Sequence, residues 1–158
     1  MARARARRVA LTERLEQEEF LTERNVAMLR AAYEGIGREG LESAEAWDLI
    51  SDEVVIRDRP EAPDPQTYHG REGVREALAS SDDSFDEFTL DPVDMIGVGS
   101  SHVVVVLRMS GRGRGSGVPV EEEIAHLWTV EDGKAVAMQV YSDPQDALRD
   151  ARTEAESG

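Results

Sequence analysis

The chain has 158 residues, 33 acidic and 18 basic, for a net charge of −15. A chain of this length forms one domain with a sizeable core, and its charge repels phosphate backbones and anionic membranes, which predicts neither nucleic acid nor membrane as a partner. The absence of cysteine excludes disulfides, thiolate catalysis and cysteine zinc sites, and no apolar run nears the ~20 residues that cross a bilayer; together these predict a cytoplasmic protein.

The only basic cluster is Arg3, Arg5, Arg7 and Arg8. It resembles the charged start of an export signal, but VALTERLEQEEF stands where an apolar stretch of about 7–15 residues is required, so no export is predicted. Leu11, Leu15, Phe20 and Leu21, then Val26, Leu29, Ala32, Tyr33 and Ile36, recur at helical spacing. We read a charged helix or arm over residues 1–21, solvated by its alternating charges, followed by a main helix over 23–37, with Thr22 or Asn25 as its candidate cap, that ends at Gly35, Gly37 and Gly40.

Ser43 caps a short helix that Asp52 and Glu53 end, and Val54 to Ile56 form a short strand leading into the proline loop PEAPDP. Gly70 opens a third helix with Val74, Ala77 and Leu78 inward. From Phe85 the period changes to two, giving strands over 85–97, 102–112, 118–131 and 134–142 separated by glycine turns. A short helix over 144–151 and a disordered tail, 152–158, complete the chain. Gly111 to Gly117 lacks both the lysine of a phosphate loop and the spacing of a dinucleotide fingerprint, so it reads as a hairpin tip. Helices first and strands afterwards give an α+β domain over 22–151.

Residues 25–150 resemble the SnoaL-like branch of the nuclear transport factor two superfamily, which includes ketosteroid isomerases and polyketide cyclases. The resemblance rests on VVIRDRP at 54–60, YHGREGV at 68–74, AHLWTVEDGK at 125–134 and VYSDPQDAL at 140–148. It implies a cone, in which a curved antiparallel sheet (a four-strand meander plus the short first strand) wraps over three helices around a mainly apolar pocket. It also implies a homodimer through the outer sheet face.

By the same resemblance Asp58 stands where isomerases keep a proton-shuttling aspartate, and Tyr33 where they keep an oxyanion-binding tyrosine. A carboxylate at the rim of an apolar cavity holds its proton more tightly and becomes a usable base near neutral pH. Against this, Asp58 lies between Arg57 and Arg59 and equally suits an ion pair or a turn. Alignment through Gly133 and Lys134 puts Ala125 where isomerases carry a second acidic donor and Val140 where cyclases carry an aspartate, so both sites are incomplete. The expected pocket comprises Trp47, Tyr68, His69, Met109, Ala125, Leu127, Met138 and Val140.

His126 and Trp128 have two placements. With Ala125 and Leu127 inside, they face a dimer interface. By periodicity alone, Ile124, His126, Trp128 and Val130 form the more apolar set, which points His126 inward. His69, His126 and Asp58 lack a local ligand spacing, so neither metal nor other cofactor is predicted. The functional expectation is a protein that binds a small apolar molecule without a complete isomerase or cyclase site. The alternative is a cofactor-independent isomerase, cyclase or lyase acting on an apolar carbonyl compound, with Asp58 as base.

Overall fold

The computed structural model describes residues 2–40 and 43–157. Its first helix, α1 (Ala2–Glu39), runs unbroken for 38 residues. The expected division near residue 22 is absent because the Thr22 hydroxyl bonds back to the Glu18 carbonyl at 2.8 Å, inside the helix, instead of capping a new one. The stop comes at Gly40, whose positive φ of 78° and N–H bond to the Ile36 carbonyl make a left-handed C-terminal cap.

Ser43 caps α2 (Ala44–Leu49), its hydroxyl accepting the Ala46 N–H. Strand β1 (Ile50–Arg57) begins immediately, so Asp52 and Glu53 lie within the strand and do not end the helix. The proline loop returns through β2 (Thr67–His69), a strand the sequence did not announce, which pairs antiparallel with β1. Then follow α3 (Gly70–Ser84), β3 (Phe85–Val98), β4 (His102–Gly113), β5 (Pro119–Glu131), β6 (Lys134–Tyr141) and α4 (Pro144–Ser157). The four meander strands begin and end within one residue of expectation.

The six strands form one sheet in the order β2-β1-β6-β5-β4-β3. β1 and β6 are parallel, so the sheet is mixed where an antiparallel one was expected. Parallel neighbours need a long crossover, and α3 with the meander supplies it. One face carries Val103, Val105, Leu107, Trp128 and Met138 against Leu29 of α1, Leu49 of α2 and Val74 of α3. The other carries Val104, Val106, Ala125 and Leu127 against Ala147 and Ala151 of α4. Both faces of β4 are therefore covered, which explains its unbroken valine run.

Residues 152–157, expected to be disordered, continue α4; Gly158 lies outside the described residues. The helix is pinned by the Tyr141 hydroxyl donating to Asp150 at 2.7 Å and by His102 meeting Glu154 at 2.9 Å, which give its last turns a reason to stay helical. Its apolar contacts are with Val104, Val106, Ala125 and Leu127 on the outer face of the sheet.

The domain part of α1 is fixed at the β3–β4 turn. The fully buried Asn25 donates to the Ser100 carbonyl at 2.8 Å, and Thr22 reaches the Gly99 carbonyl. Gly97 permits this approach, since a Cβ there would stand 2.5 Å from Thr22 Cγ2 and 3.0 Å from Val26 Cγ2. Both neighbours are β-branched and stiff. Gly97→Val is therefore expected to push α1 off the sheet and cost about 1–3 kcal/mol, read as a lower urea midpoint at unchanged slope.

Candidate functional site

Within the inner apolar cluster one polar group of side chains stands out. Trp128 Nε1 donates to the Tyr33 hydroxyl at 2.9 Å, and that hydroxyl lies 2.6 Å from His126 Nδ1. Indole can only donate, so the Tyr33 oxygen accepts from Trp128, and the hydroxyl proton is assigned to the bond with Nδ1, whose direction depends on the imidazole tautomer. The neutral imidazole then carries its proton on Nε2, a tautomer assigned from the network. Burial pushes the His126 pKa down to about 4 and the Tyr33 pKa well above its ordinary value, the latter only partly offset by the Trp128 bond. At neutral pH both are uncharged.

The three residues come together because β5 alternates. Ile124, Trp128 and Val130 pack with α1, while Ala125 and Leu127 lie under α4. The expected pocket positions of Ala125 and Leu127 are thus corrected: they face the opposite side, and His126 and Trp128 are the interior residues. The alignment placed the wrong face inward, whereas the period-two pattern had the right one. Met109, Met138, Val140 and Tyr68 belong to the inner cluster. Trp47 flanks it, with the guanidinium carbons of Arg71 and Arg75 at 5.5 and 4.7 Å from its ring centroid. His69 is exposed at the start of α3 and makes no capping bond.

Asp58 lies one residue past β1. Its carboxylate accepts the Gln66 N–H at 2.9 Å, its own N–H bonds the Gln66 carbonyl at 3.0 Å, and Gln139 holds its carbonyl. It closes the neck of the proline loop. Arg59, one of its two neighbouring cations, turns instead to Glu122 at 3.3 Å and to the Ser142 hydroxyl.

A groove of about 420 Å³ opens between α1 and β3, lined by Arg30, Tyr33, Glu34, Gly37, Pro92, Val93, Asp94 and Met95. Of the expected site residues only Tyr33 lines it. Tyr33 and Met95 are half-buried in it, and Arg30, Glu34 and Asp94 are its charged, exposed members. The sequence signals for it were slight, because Pro92 to Met95 read simply as part of a strand. Among the described residues no three His, Asp or Glu side chains form a metal-binding group, and no helix is long and apolar enough to cross a membrane.

Residues 21–138 match the model of the SnoaL-like domain. The chain belongs to the SnoaL-like domain family. This SnoaL-like domain shares its fold with solved structures of low sequence identity. A nuclear transport factor two-like protein from Burkholderia thailandensis is 24% identical, with a TM-score of 0.65 over 80% of this chain and 95% of the other. A protein of that type and unknown function from Burkholderia pseudomallei is 21% identical, with a TM-score of 0.63 and the same coverage. TerC, co-crystallised with polyporic acid, is 23% identical, with a TM-score of 0.60 over 82% and 98%. None of the curated proteins matches this SnoaL-like domain.

The His126 environment has a measurable consequence. Its folded pKa lies below the usual 6.5, so between pH 6.5 and about 4 the unfolded chain binds more protons than the folded one. Stability from this group is complete above about pH 6.5 and is lost as pH falls toward 4, by up to about 3 kcal/mol. In urea unfolding, His126→Phe should flatten that part of the pH profile relative to wild type. An equally steep profile in the variant would remove His126 as its source.

Proposed function

We infer that this SnoaL-like domain binds a small, mainly apolar molecule with an anionic or hydrogen-bonding substituent in the groove between α1 and β3. One observation carries the reading: Tyr33 lines the groove and is at the same time held by His126 and Trp128 in an apolar interior. A ring fixed in this way presents a rigid wall at little entropic cost on binding. Pro92, Val93 and Met95 supply apolar contact, and Arg30 offers a cation at the rim.

The volume suits a compact ring system, within the ordinary range of about 300–1,000 Å³ for small-molecule sites. TerC, a fold relative, supplies a reasonable probe in polyporic acid, a diaryl dihydroxyquinone with an apolar body and acidic hydroxyls. Polyporic acid is expected to raise the melting temperature of the wild type, since a ligand at 100 times its dissociation constant adds about 2.7 kcal/mol. Gly37 has open space around a would-be Cβ, so Gly37→Trp fills the groove without a clash at that position and should abolish the shift. No shift in the wild type counts against this ligand class; an undiminished shift in Gly37→Trp counts against the groove.

A second reading, proton transfer by Asp58, has one observation in its favour. Continuing the β1–β6 register past Arg57↔Gln139 puts Asp58 beside Val140, which pairs with His126. Carboxylate and imidazole thus stand on one rank across two strand spacings, about 10 Å apart at Cα. The carboxylate's bond to Gln66 favours a structural role, and Ala125 supplies no second acid. Asp58→Ala, which removes the acceptor, should therefore lower stability by about 1 kcal/mol through the loosened loop neck and leave the ligand-induced shift intact. Loss of a measured turnover at unchanged stability would instead favour the base.

A further inference from the structure

Along the inner face of the sheet, burial falls from one end to the other. At the end that carries the β3–β4 and β5–β6 turns, Val103, Trp128, Val130 and Ala135 are buried, whereas toward the β4–β5 hairpin Phe88, Leu90, Val120 and Val140 of the same cluster are only half-buried. His126, beside Val140 in the ladder, is half-buried too. The alternation that turns His126 and Trp128 inward also turns Glu122 inward, and it carries Ser142, one residue past β6, to the same side as Met138 and Val140. Two polar residues therefore stand at the less buried end of an apolar face.

The proline loop lies against these two. Its neck is closed twice, by the Asp58 N–H on the Gln66 carbonyl and the Gln66 N–H on the Asp58 carboxylate, and Gln139 anchors it to β6. Beyond the neck, Pro60, Pro63, Pro65 and the Ala62 N–H bond to the Arg59 carbonyl stiffen the segment. Its hold on the sheet is slight by contrast. Arg59 crosses from the end of β1 over β6 to reach Glu122 on β5 at 3.3 Å and the Ser142 hydroxyl at 3.3 Å, and that hydroxyl donates to Glu61. The Arg59 and Glu122 side chains are 37% and 41% exposed, and an exposed pair shifts an equilibrium by no more than about fivefold.

We propose that the proline loop over residues 59–65 is a gate at the hairpin end of the inner sheet face, held shut by Arg59, Ser142 and Glu61 and swinging on the Asp58–Gln66 neck to admit a small apolar molecule toward Val140 and His126. A stiff segment on a firm neck moves as one unit when its few polar fastenings part, and water replaces those fastenings at little cost because they are exposed. The half-buried apolar side chains behind it supply the contact surface. This entrance lies at β1, β6 and β5, whereas the groove against α1 lies at the edge strand β3, so the gate stands independently of any ligand in that groove.

The chain has no cysteine, so a single introduced thiol reports access without a competing signal. Val140→Cys puts it behind the gate, Val103→Cys at the fully buried end of the same face, and Ser116→Cys on the exposed hairpin tip. Arg59→Ala with Ser142→Ala removes all three fastenings; with neutral iodoacetamide it should speed alkylation of Val140→Cys about tenfold and leave Val103→Cys and Ser116→Cys within about twofold. Loss of a nearby cation by itself raises a thiol's pKa and slows alkylation, so acceleration reads access. Added salt should also speed Val140→Cys in the otherwise unaltered chain, because it screens Arg59 from Glu122. The charge swap is the sharper test. Arg59→Glu alone should be fast, and Arg59→Glu with Glu122→Arg should return to the original rate. An unchanged rate at Val140→Cys overturns the gate, equal acceleration at Val103→Cys overturns it in favour of general loosening, and a swap that stays fast overturns the Arg59 latch.

Discussion

The strand parity of β5 is the constraint on which the rest of this structure depends. Alternate residues of β5 and its neighbour β4 belong to two separate apolar clusters, one beneath α1 to α3 and one beneath α4. A slip of one residue would exchange the two sets, placing His126 under α4 and Ala125 against Tyr33. Such a slip would leave the Tyr33 and Trp128 polar atoms without each other and would drive the imidazole into a patch shaped for alanines. Packing on two sides therefore fixes the register more firmly than one apolar face could.

The same constraint explains the character of the interior. The inner cluster has Trp128, Met109, Met138, Leu29 and Tyr68 among its members, and the groove lies to one side of it, between α1 and β3. The polar atoms inside are matched among themselves: a donor-only indole, a hydroxyl that both accepts and donates, and an unprotonated ring nitrogen. Buried polar groups of this kind cost stability unless partnered, and here each bond fixes the direction of the next. Tyr33 is thereby both a structural member of the core and the wall of the groove.

Much of the fold was legible along the chain. The change of period at Phe85, the glycine turns and the Ser43 cap each act through the nearest few residues, and those elements appear where expected. The misreadings were of another kind. Thr22 was read as a candidate cap although its hydroxyl satisfies a carbonyl of its own helix, Asp52 and Glu53 were read as a helix stop although they lie in a strand, and residues 152–157 were read as tail. For Asp52, Glu53 and residues 152–157 the deciding partner, strand or sheet, sits outside the local window; for Thr22 the bond to Glu18 is local, and the distant contact is the one to Gly99.

The site shows the division most clearly. By itself the sequence determined that Ile124, His126, Trp128 and Val130 share a face, because successive side chains on a strand must alternate, and it pointed to the family through motifs between residues 54 and 148, in agreement with the family match over residues 21–138. It marked Tyr33 and Asp58 as the polar residues of interest. Which face of β5 meets α1, that the Tyr33 hydroxyl meets His126 Nδ1, and that the Asp58 carboxylate closes a loop against Gln66 were decided only by the tertiary structure. These depend on pairs 93 and 8 residues apart in the chain, and no local pattern specifies which distant atom a buried donor will find.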